Sequence, residues 1–186
     1  IPDARICLGR ASSAAYRTDP KMVVFMAARY KFVAKMLSGL SAVIEIGCGD
    51  AFGTPIVAAE VGHVFCTDID EETLADNTKR LGFAKNVSFE YFDFRKSQYR
   101  RIVDGAYGVD VLEHIYPEEE APFLSNFASS LREDGIALFG TPNATADGYA
   151  SEHSRAGHVN VKDQRNLRAT MERYFQRVFI FSMNDE

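Results

Sequence analysis

The chain has 186 residues, 46% hydrophobic and 25% charged, with a formal net charge of −5. That composition suits one globular core and gives no general electrostatic affinity for nucleic acid or anionic membranes. Its three cysteines are widely spaced with no CxxC pair, which argues against a zinc knuckle or disulfide framework and for reduced, buried thiols.

No apolar run reaches the roughly 20 residues that span a bilayer, so membrane insertion is not expected. The opening IPDARICLGR lacks the apolar segment of a secretory signal, and a cytoplasmic location is expected. Because it does not begin with Met, the sequence is expected to be a processed or incomplete part of a longer chain.

In chain order, residues 1–20 read as irregular. KMVVFMAARYKFVAKML carries apolar side chains at helical spacing, with Asp19 as N-cap, Pro20 in the first turn and Gly39 past the end. Strands and helices then alternate. AVIEIGC is strand one, TPIVAAEV a helix capped by Thr54, and HVFCTDI strand two. DEETLADNTKRLG is a helix whose acidic start and basic end suit its dipole. NVSFEYFD is strand three, GAYGVDVLEHI strand four, PEEEAPFLSNFASSLREDG a helix and IALFGTP strand five. KDQRNLRATMERYF is a helix and RVFIFSM strand six. Such alternation predicts an α/β fold, a Rossmann-like doubly wound and mostly parallel sheet with helices on both faces. Ligands of such sheets bind at the carboxyl ends of the strands, beside strand one.

The residues at those ends have a common character. VIEIGCGDAFG leaves strand one with Gly47, Gly49 and Gly53 close together, and the first two let backbone approach a ligand. A dinucleotide fingerprint needs Gly where Phe52 stands. Glu45 would repel a pyrophosphate but attract a cation; its plainer alternative is a satisfied polar residue. Asp68 ends strand two, where a carboxylate can accept from a ribose diol, or cap a helix as Asp70 could. Asp93 ends strand three between Phe92 and Phe94, placed to meet an exocyclic amine or to form a polar turn. Asp110, Glu113 and His114 cluster in strand four; His153 and His158 follow strand five. Carboxylates at three strand ends around a glycine loop describe a site for a nucleoside with a positive centre and no phosphates. S-adenosylmethionine fits that description.

With VIEIGCGDAFG, CTDID, YFDF, VDVLEHI and LREDGIALFGTPN in place, the chain resembles the class I S-adenosylmethionine-dependent methyltransferases from about Leu37 to Phe181. The resemblance implies that Gly47 and Gly49 pass the methionine part and that Glu45 orders the loop and the amino group. It implies Asp68 on the ribose hydroxyls, Ile69 on the adenine, Asp93 at the adenine amine with Phe94 near the ring, and Asp110 under the methionine end. S-adenosylhomocysteine is the implied product. The expected organisation is an N-terminal arm and helix over residues 1–38, whose Arg-, Ser- and Tyr-rich GRASSAAYRTDPK is read as a cleft lid with a solvated arm as the alternative, and a methyltransferase domain over 39–186. The fold normally ends with an antiparallel strand pair, whereas this sequence stops at Glu186, right after strand six.

LGRASSAAYRTDPK, YASEHSRAGHVN and FIFSMNDE are similar to a bacterial subgroup associated with surface-polysaccharide or nucleotide-sugar modification. The expected partner is therefore a small-molecule acceptor, with a homodimer left open. His114 and His158 are the candidate bases, since a hydroxyl or ammonium acceptor must lose a proton near neutral pH. Arg10, Tyr16, Arg17 and His153 are the candidate acceptor contacts. The small-RNA 2′-O-methyltransferases hold a divalent metal at places similar to Asp110, Glu113, His114 and His158, but this chain lacks their basic RNA surface, and no metal is expected. A nicotinamide-dependent oxidoreductase and a non-catalytic cofactor-binding protein are the alternative classes.

Overall fold

The structure is a computed structural model that describes residues 5–149 and 156–183. It divides into two compact units between Phe92 and Asp93.

In the first unit α1 (Arg10–Thr18) and α2 (Pro20–Met36) precede β1 (Ala42–Ile46), α3 (Thr54–Ala58), β2 (His63–Asp68), α4 (Glu71–Arg80) and β3 (Val87–Tyr91). β2 lies between the other two strands, and both pairings are parallel. Ala42 to Ile46 align with His63 to Thr67, and Val64 to Asp68 with Val87 to Tyr91. Val43, Ile44, Val64 and Cys66 are fully buried, as strands covered on both faces require. Asp19 starts α2 by accepting from the Lys21 N–H, with Pro20 in the first turn. Asp70 caps α4 by accepting from the Glu72 and Thr73 N–H groups. α2 packs on α1 and α3, and α4 on β2 and β3.

In the second unit β4 (Val103–Val109) leads through a 3₁₀ turn (Leu112–His114) to α5 (Pro117–Ala128). β5 (Leu131–Gly140), a 3₁₀ segment (Ala144–Tyr149) and α6 (Gln164–Met171) follow. β4 and β5 pair in parallel with a register shift between Val103 and Gly105. The core here is aromatic: Phe127 meets the rings of Phe94, Phe123, Phe139 and Phe175. Burying such a side chain stabilises by roughly 1.5–3 kcal/mol.

Four expectations are corrected. The supposedly irregular N-terminus contains α1. LEH leaves strand four and forms a 3₁₀ turn, because Asp110 takes a left-handed φ of 57° and breaks the extended run. α5 ends at Ala128, and Leu131 already pairs with Val103; Arg132–Gly135 bulge out before pairing resumes at Ile136 with Gly105. Residues 177–183 form no strand, and Phe179 and Phe181 are 74% and 57% exposed. The Arg168 guanidinium donates to the Val178 carbonyl instead. Among the described residues no helix is long and apolar enough to cross a membrane. All three cysteines are free, with Cys48 and Cys66 buried and Cys7 exposed.

Candidate active site

The first unit carries the glycine loop. Gly47, Gly49 and Ala51 adopt φ of 64°, 49° and 53°, so the backbone winds through the left-handed region three times in five residues. Ala51 bears a cost of roughly 1–2 kcal/mol for that conformation. Neighbouring elements hold the loop in place. The Gly49 N–H donates to Asp68 Oδ2 at 2.8 Å, the Asn77 side chain donates to the Gly49 carbonyl at 2.7 Å, and the Cys48 N–H donates to the Thr67 carbonyl at 3.0 Å. A Cβ on Gly49 would meet no heavy atom within 4 Å, so the space over this turn is open. Gly53 is needed for a different reason: a Cβ there would fall 1.9 Å from the Tyr30 ring.

Asp68 stands at the carboxyl end of β2, half-buried. Its Oδ1 accepts from the Ile69 and Asp70 N–H groups, while Oδ2 accepts only from Gly49 among the bonds to described residues. A carboxylate offers about four acceptor positions, so capacity remains for a hydroxyl. Ile69 presents an apolar side chain that is 53% exposed.

Glu45 is buried. Its Oε2 accepts from the Thr54 hydroxyl at 2.5 Å and the Cys66 thiol at 3.5 Å, and its carbonyl accepts from the Thr67 hydroxyl at 2.9 Å. It therefore ties the start of α3 to β2 beneath the loop. Burial, then the charge of Glu45, pushes both the Cys48 and the Cys66 thiols up, which makes them poor nucleophiles.

In the second unit, Asp93 is buried and its carboxylate is gripped by Arg95, with Nε on Oδ1 and Nη2 on Oδ2, each at 2.9 Å. Those hydrogen bonds hold the Asp93 carboxyl below the ordinary carboxylate range. Phe94 is buried in the aromatic core. The Asp110 N–H donates to the Gly140 carbonyl at 2.8 Å.

His114 is exposed, with Nδ1 2.9 Å from the Gly157 carbonyl. The tautomer that donates from Nδ1 leaves a lone pair on Nε2. The His158 ring lies 5.0 Å away, edge-on. Glu113 is fully buried, and its carbonyl accepts from the Val159 and Asn160 N–H groups, which fastens the His158 segment to the 3₁₀ turn. Glu113, His114 and His158 each offer a ligand atom within 4.8 Å of the others, an arrangement able to hold a divalent cation; Asp110 is not part of that group.

Of the remaining expected residues, Arg10, Tyr16 and Arg17 are exposed on α1, and His153 lies outside the described residues. Sequence reasoning missed Asn77 and Arg80, which reach the glycine loop from α4. Their spacing puts them on one helix face. It also missed Thr67, and it took Thr54 as a helix cap, whereas Gly53 holds the cap position of α3 and the Thr54 hydroxyl donates to Glu45.

A family model described as "Methyltransferase domain" matches residues 43–135. A probable S-adenosylmethionine-dependent methyltransferase of Mycolicibacterium smegmatis is 29% identical over 107 residues, covering 54% of this chain and 38% of that protein. The chain thus matches well under half the length of that relative. Among solved structures, a DhpI complex with S-adenosylhomocysteine superposes with a TM-score of 0.70 at 19% identity, covering 89% of this chain and 81% of that one. The N-methyltransferase NodS of Bradyrhizobium japonicum gives 0.66 at 16% identity, covering 83% of each chain. These likenesses establish the fold as the Rossmann-like one expected from the alternating strands and helices.

Proposed function

Because this chain belongs to the methyltransferase-domain family, we propose that it moves a methyl group from S-adenosylmethionine to a small polar acceptor. The observation that carries this reading is the pairing of the Gly49 N–H with Asp68 Oδ2 below an open turn. It fixes a backbone with no side chain above it beside a carboxylate with acceptor capacity to spare, as a ribose diol and a methionine tail require. The donor supplies an activated methyl on a sulfonium: the acceptor's lone pair forms the new bond while the carbon–sulfur electron pair leaves on sulfur.

The chain's own residues then have distinct tasks. Gly47 and Gly49 let the donor's methionine part close on the backbone, Asp68 orients the ribose, and Ile69 packs against the adenine. Glu45 acts from beneath, by fixing the loop through Thr54 and β2. Asp93 and Asp110 are assigned to the adenine and methionine ends, with Phe94 behind Asp93. Alignment supplies most of the acceleration, since well-oriented groups reach effective molarities of about 10⁵–10⁸ M. His114 takes the acceptor's proton on Nε2, its ring oriented by the Gly157 carbonyl, and His158 supports it. Arg10, Tyr16, Arg17 and His153 are the proposed acceptor contacts. The likeness of the N-terminal and His158 segments to polysaccharide-associated enzymes favours a sugar or nucleotide-sugar acceptor, met in the cytoplasm.

Calorimetry with S-adenosylmethionine and S-adenosylhomocysteine tests the donor site. Binding is expected for both, with affinity lowered at least about 10-fold in Asp68→Ala, where hydrogen bonds to a charged group are lost. No heat with either compound, or heat with NADH instead, overturns the reading. Release of S-adenosylhomocysteine with candidate sugars separates an enzyme from a binding protein. His114→Asn is expected to slow release by about 10²–10⁴-fold without changing donor affinity.

A second reading has its own observation, the Glu113, His114 and His158 donors within 4.8 Å. Two histidines and a carboxylate suit a divalent transition metal, with Gly157 as the outer partner of His114. Loss of turnover on chelation, restored by Mn²⁺ or Mg²⁺, decides for it. Indifference to chelation leaves His114 as a simple base.

A further inference from the structure

α1 begins without a cap of its own. Its N-cap residue is Gly9, which has no side chain to satisfy the orphan N–H groups of a first turn. The missing cap comes from the glycine loop. The Ser12 N–H and the Ser12 hydroxyl both donate to Asp50 Oδ2, at 2.7 and 2.8 Å, and Ser12 is fully buried. Gly9 makes this approach possible, because a Cβ there would lie 2.4 Å from the Asp50 Cβ. Arg80 closes the arrangement from α4: one of its nitrogens donates to the Asp50 carbonyl at 2.6 Å and another to the Cys7 carbonyl at 3.4 Å. Gly9, Ser12, Asp50 and Arg80 thus form one connected clasp.

Asp50 sits between Gly49 and Ala51, both in the left-handed region. Whatever holds its carboxylate therefore also holds the turn that the donor must meet. α1 is a nine-residue helix, short enough to be marginal without tertiary support.

We propose that Asp50 caps α1 in trans and is a positioning residue of the donor site, so that docking of residues 7–18 and binding of the methyl donor stabilise one another. This rests on placing the donor at the glycine loop. Reciprocity follows from linkage: if the docked helix raises donor affinity, the donor must protect the docked helix by the same factor.

The test uses the full chain, calorimetry with S-adenosylhomocysteine, and amide exchange of residues 7–18 with and without that ligand. Asp50→Ala is expected to weaken binding about 10-fold, as loss of hydrogen bonds to a charged acceptor implies, and Ser12→Ala to weaken it less, because its backbone N–H still donates. Asp50→Asn keeps an acceptor oxygen and is expected to recover most of the loss. In the wild-type chain the ligand slows exchange in α1; in Asp50→Ala it does not. Wild-type affinity in Asp50→Ala, even with lowered thermal stability, makes the contact merely structural and overturns the proposal, as does exchange in α1 that ignores the ligand. If the wild-type chain itself gives no heat, the placement of the donor fails and takes this proposal with it. Wild-type heat with unaltered variants sinks the proposal alone.

Discussion

Asp93 carries a charged hydrogen-bond pair of its own just behind the third strand. Both of its oxygens accept from Arg95. The pair is worth more than a surface ion pair because Asp93 is buried and the contact is bidentate. Since the folded Asp93 carboxyl titrates below its ordinary value, its stabilisation is fully present above the unfolded pKa near 3.9 and is lost as pH falls through the folded value. Asp93→Asn is expected to cost about 2 kcal/mol at neutral pH. In urea titrations the gap from wild type should narrow below about pH 4; a gap independent of pH excludes the charge as its source. Asp68 differs from Asp93 in having, among the described residues, only backbone donors.

Between elements, the glycines of the first loop divide into two kinds. Gly47 and Gly49 meet a conformational demand, at φ of 64° and 49°. Gly53 meets a packing demand from α2, whose Tyr30 ring occupies the volume that a side chain would need. Gly53→Ala is accordingly expected to destabilise by about 1–3 kcal/mol through overpacking of α2 against α3. Its cost should fall to less than half in a Tyr30→Ala background, measured as a double-mutant cycle by chemical denaturation. Additive costs would move the strain elsewhere. α1 belongs at this scale too. Its sequence has little reason to start a helix at Arg10 until the Asp50 carboxylate is brought alongside.

Taken as a whole, the molecule comprises two compact units. The first holds the glycine loop, Asp68 and the N-terminal helices. The second holds the His114–His158 pair and an aromatic core centred on Phe127. That ring joins the segment after β3, α5, β5 and the segment after α6. Phe127→Ala leaves a cavity at this junction and is expected to cost about 3–5 kcal/mol. The denaturation midpoint should drop with unchanged slope, and amide exchange should accelerate in β4, β5 and α5. A loss under 1 kcal/mol would mean that the cluster repacks and is not the organising core of its unit.

The sequence alone determined the alternation of strands and helices, the glycine loop, Asp68 at the end of β2 and the cap Asp19, and it left the cap of α4 open between Asp68 and Asp70. These follow from hydrophobic period and local backbone chemistry, which act within a few residues. Tertiary structure alone decided what pairs with what across the chain. Asp50 is an ordinary loop aspartate until folding sets Ser12 beside it, Gly53 an ordinary glycine until Tyr30 arrives, and His114 a lone imidazole until the Gly157 carbonyl fixes its ring. The bulge of Arg132–Gly135 and the lack of strand structure in residues 177–183 have the same origin: strand formation depends on a neighbour distant in sequence, and no local pattern encodes it.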